Sequence, residues 1–228
     1  MNIQVLATGS TGNAYLVGDG ATKLLMECGI TWKRLQKACG FGLSDVAACL
    51  ITHEHGDHAK AVKDVIRNGI DVLCSRGTAE ALGIAKSYRC RVLKPREPVS
   101  LGTWQIMGLP VEHDAAEPFA YMLRSARTKE ILLFVTDAQT MPYGTKGITH
   151  LMMEANYSYD YMDIEAAPLN ARIMRNHMSI DALEEWLRRA DLSELKEIWL
   201  LHLSDSRSDE AEFKRRIQAQ TGAIVHVA

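Results

Sequence analysis

The chain has 228 residues, 47% of them hydrophobic and 24% charged, a balance that excludes a disordered, collagen-like or coiled-coil protein. Its 26 Lys and Arg against 28 Asp and Glu give a net charge of −2, so no global positive field draws it to nucleic acid or to an anionic membrane. Any contact with a polyanion must be local.

Asn2 to Ala7, Asn13 to Gly18 and Lys23 to Cys28 read as three short strands of a meander, separated by the turn clusters Thr8-Gly9-Ser10-Thr11-Gly12 and Gly18-Asp19-Gly20. Trp32, Leu35 and Ala38 fall at helical spacing up to Gly40, and Val46 to Ile51 returns as an apolar strand. Ala59 to Arg67 and Thr78 to Leu82 read as helices, alternating with extended Val72 to Ser75 and Arg89 to Leu93. A second all-β stretch follows, with strands at Val99 to Leu101, Trp104 to Val111, Phe119 to Arg124 and Ile131 to Thr136. Leu151 to Ala155, Ile198 to Leu203 and Ala223 to Val227 complete the strands, with helices at Ile180 to Ala190 and Asp209 to Gln220.

Two successive β-then-α halves predict an α/β fold in which two sheets pack face to face with helices outside, a four-layer α/β/β/α sandwich. A chain this long buries such a core without help from disulfides or structural metal. Without a Pro- or Ser-rich linker, tandem repeat or low-complexity tract, residues 1–228 are expected to form a single domain. The five cysteines, Cys28, Cys39, Cys49, Cys74 and Cys90, are odd in number and form no C-x-x-C pair, so they read as reduced core thiols. Met1 to Gln4 lacks the basic segment of a signal peptide and the longest apolar runs are too short to span a bilayer, so the expected location is cytoplasmic, with no membrane partner.

The chemistry concentrates at the end of the strand Val46 to Ile51. His53-x-His55-x-Asp57-His58 puts three imidazoles and a carboxylate within six positions, the density of a metal site. Alternation along an extended segment sends His53 and His55 to one side and Asp57 with His58 to another, which suits two adjacent ions better than one. Further donors are expected at strand ends. His113 follows Trp104 to Val111, Asp137 terminates Ile131 to Thr136, and His202 sits within Ile198 to Leu203. Imidazole and carboxylate donors without thiolate suit Zn, Mn or Fe.

These residues, in this order and preceded by Thr8-Gly9-Ser10-Thr11-Gly12-Asn13, resemble the metallo-β-lactamase-fold hydrolases over almost the whole chain. Within that superfamily, Gly9 to Val17, Ile51 to His55, His113 to Pro118 and Glu154-Ala155-Asn156 are most similar to the YycJ/WalJ group, described as metal-dependent DNA exonucleases or phosphodiesterases. The resemblance implies two divalent ions, with His53, His55 and His113 on one, Asp57, His58 and His202 on the other, and Asp137 bridging. It further implies a metal-bridging hydroxide as nucleophile. Asp57 and His177 are then the catalytic expectations, His177 contacting the substrate phosphate or protonating the leaving oxygen. Where the group has Gly-His-Leu-Ser-Asn this chain has Asn176-His177-Met178-Ser179-Ile180, and where it often has Glu-Ala-Asn-His-Asp this chain has Glu154-Ala155-Asn156-Tyr157-Ser158.

Two basic features bear on a nucleic-acid substrate. Arg172 and Arg175, just before His177, are the candidate phosphate clamp, and Lys86 to Arg96 holds Lys86, Arg89, Arg91, Lys94 and Arg96 with Tyr88 among them. The stronger reading of the second is a solvated strand edge protected by charge. A small-molecule hydrolase acting on a cyclic phosphate, thioester or lactone is the alternative, favoured by the acidic balance, and a non-catalytic metal-binding protein is a third reading.

Overall fold

The computed structural model describes residues 1–144, 146–162 and 166–228. They divide into unit 1, Met1–Pro110 with Ala115–Glu130, and unit 2, Val111–Asp114 with Ile131–Ala228.

In unit 1 the opening strands β1 (Asn2–Ala7), β2 (Ala14–Gly18) and β3 (Lys23–Met26) pair antiparallel, as the turn clusters between them require. Parallel strands β4 (Val46–Leu50), β5 (Asp71–Cys74) and β6 (Cys90–Val92) then extend the sheet in chain order. Parallel neighbours need crossovers, and helices supply them: α1 (Trp32–Ala38), the successive α2 (Gly56–Ala59) and α3 (Val62–Arg67), and α4 (Arg76–Ala81). Thr31 and Ser75 cap α1 and α4 by accepting the backbone N–H of Arg34 and Thr78. Leu25, Cys49, Ile51, Val72 and Cys74 of the sheet share one buried cluster with Leu35, Val62, Val65 and Ala79 of the helices.

Antiparallel β7 (Val99–Leu101), β8 (Trp104–Pro110) and β9 (Phe119–Ser125) complete unit 1. They are tied to the six-stranded sheet by two buried donors. Tyr121 Oη donates to the Ile51 carbonyl at 2.7 Å, and Trp104 Nε1 donates to the Thr22 carbonyl at 3.1 Å. An aromatic ring with one polar tip can be buried only where that tip finds an acceptor. Asp19, in the turn after β2, is buried where Ala21 and Thr22 donate backbone N–H groups and Ser125 donates its hydroxyl.

Unit 2 holds β10 (Ile131–Val135), β11 (His150–Glu154), β12 (Glu197–Leu201) and β13 (Ile224–Val227), parallel and in chain order. Helices α6 (Ile180–Arg189) and α7 (Glu210–Thr221) bury Leu183, Trp186, Leu187, Phe213 and Ile217. Arg216 of α7 joins them, donating to Glu184 at 2.8 and 2.9 Å and to Asp181 at 2.6 Å.

The expected strands are present with ends shifted by a residue or two, and the mixed α/β architecture with strands in two sheets is the one predicted. Three features differ. The helix expected over Ala59 to Arg67 is α2 and α3, because Ala61 leaves the helical conformation and becomes the cap of the second. Strand β12 stops at Leu201, so His202 lies just beyond it with φ 55° rather than within it. Helix α5 (Ala167–Asn176) was not foreseen, since it exposes Leu169 and Met174 and buries Asn170 and Asn176, the reverse of an apolar stripe. All five cysteines are free; Cys28, Cys49 and Cys74 are buried as expected, whereas Cys39 and Cys90 are only half-buried. Among the described residues no helix is long and apolar enough to cross a membrane.

Candidate metal centre

The first cluster lies in unit 1, where β4 gives way to α2. His53 and His55 sit on the connecting loop, His55 is the N-cap residue of α2, and Asp57 and His58 occupy its first turn. Strict alternation therefore ends at Gly56, and the helical turn brings His58 back until its ring centroid is 4.2 Å from that of His53. His53 Nε2 is 3.1 Å from His55 Nδ1, and Asp57 Oδ2 is 3.4 Å from His58 Nε2. His53 Nδ1 is held by the Thr52 hydroxyl at 2.9 Å. An imidazole so held presents its other nitrogen in a fixed direction, which is how ligating histidines are oriented.

Two residues that sequence reasoning did not single out support this cluster. Glu27, fully buried just past β3 with φ 62°, accepts the Thr52 N–H at 3.0 Å with one oxygen and lies 3.7 Å from His58 Nδ1 with the other. Burial pushes its carboxyl up against the opposing pull of His58 and Thr52. The available signal was one acid inside the apolar run Leu24-Leu25-Met26-Glu27-Cys28, since a buried charge needs a partner. Asn13 accepts the Gly9 N–H and the Tyr15 hydroxyl, and its backbone N–H donates to the Asp57 carbonyl at 2.7 Å, so the glycine-rich opening loop is tied to α2.

The second cluster is built at the ends of the unit 2 strands. Asp137, Glu154, His177 and His202 each offer one ligand atom, and these atoms all lie within 4.8 Å of one another. Asp137 and His202 both carry positive φ, 49° and 55°, beyond β10 and β12. Non-glycine residues held there cost about 1–3 kcal/mol each and persist where surrounding structure demands it. Asp137 is central: Oδ2 is 3.8 Å from His113 Nε2, while Oδ1 is 3.8 Å from His177 Nδ1 and 3.7 Å from His202 Nδ1. Its two oxygens thus face different imidazoles. His113 Nδ1 donates to the Asn176 carbonyl at 3.1 Å, and Asp114 lies 3.4 Å from His113 Nε2 while accepting from Asn176 at 2.9 Å.

Glu154, fully buried at the end of β11, is the other anchor. Oε1 accepts from His177 Nδ1 at 2.6 Å and is 3.2 Å from His202 Nδ1, while Oε2 takes the backbone N–H groups of Ala138 and Met178. Burial alone would raise this carboxyl, but the His177 charge and hydrogen bond outweigh it and hold it low. Conversely, burial would lower His177, and Glu154 followed by Asp137 holds it above the usual imidazole range. His177 keeps 21% of its side chain exposed while Glu154 is at 0%, so the imidazole is the accessible member of a fixed pair.

Unit 1 thus brings together His53, His55, Asp57 and His58, and unit 2 brings together His113, Asp137, His177 and His202. Glu154 and Asn176 join the second cluster. Arg172 and Arg175 lie on the exposed side of α5, the helix that ends at His177. The donor sets are imidazole and carboxylate, largely buried, with every cysteine elsewhere as a free thiol. Such sets fit divalent Zn, Mn or Fe.

The chain has the metallo-β-lactamase fold, and residues 7–116 match the model described as the metallo-beta-lactamase superfamily. The fold matches that of the metallo-β-lactamase fold protein YhfI from Bacillus subtilis with a TM-score of 0.76, covering 99% of this chain and 95% of that one at 16% identity. In sequence the chain is similar to exodeoxyribonuclease YycJ of Bacillus anthracis, 28% identical over 220 residues and covering 90% of this chain and 83% of the relative. It is also similar to exodeoxyribonuclease WalJ of Streptococcus pneumoniae, 28% identical over 218 residues, with 88% and 80% covered.

Proposed function

We propose that residues 1–228 act as one dinuclear-metal-dependent phosphodiesterase domain that degrades DNA or RNA. His53, His55 and His113 would hold one divalent ion, Asp57, His58 and His202 the other, and Asp137 both. Bound ions of this kind supply Lewis-acid stabilisation of phosphoryl oxygens and a nucleophile at neutral pH.

The observation that carries the reading is the Glu154–His177 pair at 2.6 Å, an accessible imidazole tethered by a buried carboxylate beside the Asp137 donors. Glu154 fixes the ring through Nδ1, leaving Nε2 to contact a substrate phosphate or to give a proton to the departing oxygen. Asp57 is needed for the second ion. Arg172 and Arg175 take up flanking phosphates, for which a guanidinium is well shaped. The similarity to proteins named exodeoxyribonucleases supports a polynucleotide substrate.

The test is digestion of end-labelled single- and double-stranded DNA by purified protein with Mn, with Asp57→Ala as control. Loss of label that depends on Asp57 and falls with rising salt is expected. Intact DNA in the presence of bound metal would instead favour a small phosphodiester or acyl substrate.

A further inference from the structure

Unit 1 carries 16 Lys and Arg against 11 Asp and Glu, although the whole chain is acidic. Part of that excess is gathered on one edge. Strand β6 is the last of the sheet order β1-β2-β3-β4-β5-β6, and Lys86, Arg91, Lys94 and Arg96, on it and on the segments that flank it, are exposed. Arg89 joins them, half-buried and held by Asp71 at 2.8 Å. Lys94 lies 3.5 Å from Glu97.

Charge on an edge strand can serve merely to repel other strands. Tyr88 argues for more, because edge protection needs no aromatic ring. Its side chain is 90% exposed, the most exposed of the large hydrophobic residues described, and the Arg89 guanidinium lies 5.2 Å from its centroid. With the guanidinium over one face, the other face of this exposed ring is a platform for an unpaired base. Arg91 lies on β6, and Arg89 and the turn from Lys94 to Arg96 flank it, so the cations follow the edge in sequence. Duplex offers no free base face to Tyr88, so a single strand is the better match.

We propose that the β6 edge, from Lys86 to Arg96, is a docking track for single-stranded nucleic acid, with Tyr88 stacking a base and the surrounding cations taking phosphates. The proposal rests on the polynucleotide reading above. Its role is to retain long substrates; chemistry on short ones does not need it.

The test is fluorescence anisotropy with a labelled, hydrolysis-resistant phosphorothioate dT30 strand and Mn-loaded protein, at several salt concentrations. The triple variant Lys86→Ala, Arg91→Ala, Lys94→Ala should bind at least about ten-fold more weakly, and its salt slope should flatten by about 0.7 for each phosphate contact removed. Tyr88→Ala should weaken binding by roughly five-fold or more with the slope unchanged. Turnover of bis(p-nitrophenyl) phosphate should be the same in all three proteins, which also shows that the variants fold. Variants that bind dT30 as the parent does overturn the track and leave the nuclease reading standing. A parent that does not bind the strand overturns the track as well, and the nuclease reading then stands or falls on the end-labelled digestion.

Discussion

Gly29 lies so close to Asp57 that a Cβ added to it would fall 1.6 Å from the Asp57 carbonyl oxygen. The backbone after β3 therefore supports the turn carrying Asp57 and His58, and the Cys28 N–H donates to the His58 carbonyl at 2.8 Å in the same contact. Gly29→Ala must push α2 away. We expect a loss of about 3 kcal/mol or more in denaturant unfolding. Gly42→Ala, where a Cβ meets nothing within 4 Å, should stay within about 0.5 kcal/mol. Equal midpoints for the two variants would contradict the packing argument.

The Glu154–His177 pair predicts a graded pattern. His177→Ala should lower DNA turnover by about 10²–10⁴-fold, the range for removing a general acid or base. Glu154→Gln leaves the ring in place with a weaker anchor, and a loss of about 10–100-fold is expected. Residues acting as a unit are not additive, so the double variant should be little worse than His177→Ala alone. Steady-state rates on labelled DNA decide this, and multiplicative losses would mean that Glu154 acts elsewhere.

Asp19 gives a pH prediction away from the candidate metal donors. Burial would raise its carboxyl, but hydrogen bonds from Thr103, Thr22, Ser125 and Ala21 together hold it well below the ordinary value of 3.8. A depressed folded-state value means the stabilisation is complete above 3.8 and fades as pH falls towards the folded value. Asp19→Asn should thus cost about 1–2 kcal/mol at neutral pH, from weakened hydrogen bonds. The gap between parent and variant should hold down to about pH 5 and narrow below it. Urea unfolding across that range measures it.

Arg216 should be worth more than an isolated surface ion pair, because it meets Glu184 through two parallel bonds and Asp181 through a third, with 22% of its side chain exposed. Arg216→Met is expected to cost about 1–2 kcal/mol at low salt, and less in 1 M salt, where the Debye length falls to about 3 Å. A salt-independent difference in unfolding midpoint would assign the loss to packing instead.

Much of this molecule was legible before its structure. Apolar runs bounded by glycine-rich turns located the strands, and the His53 to His58 run located a cluster of donors able to hold a metal ion. The unread parts have physical reasons. Helix α5 buries Asn170 and Asn176 and exposes Leu169 and Met174, so no apolar periodicity marks it. Glu27 and Asn176 act on imidazoles far away in sequence, and no local spacing encodes that. The placement of His202 just past its strand depends on a left-handed backbone conformation that an apolar neighbourhood of leucines conceals.

The most direct test of the account is DNA turnover by metal-free protein titrated with Mn. Activity absent at the start, rising to a plateau at two ions per chain and lost in Asp57→Ala, is the result predicted. Full turnover without metal, or a plateau at one ion that Asp57→Ala leaves untouched, would contradict it.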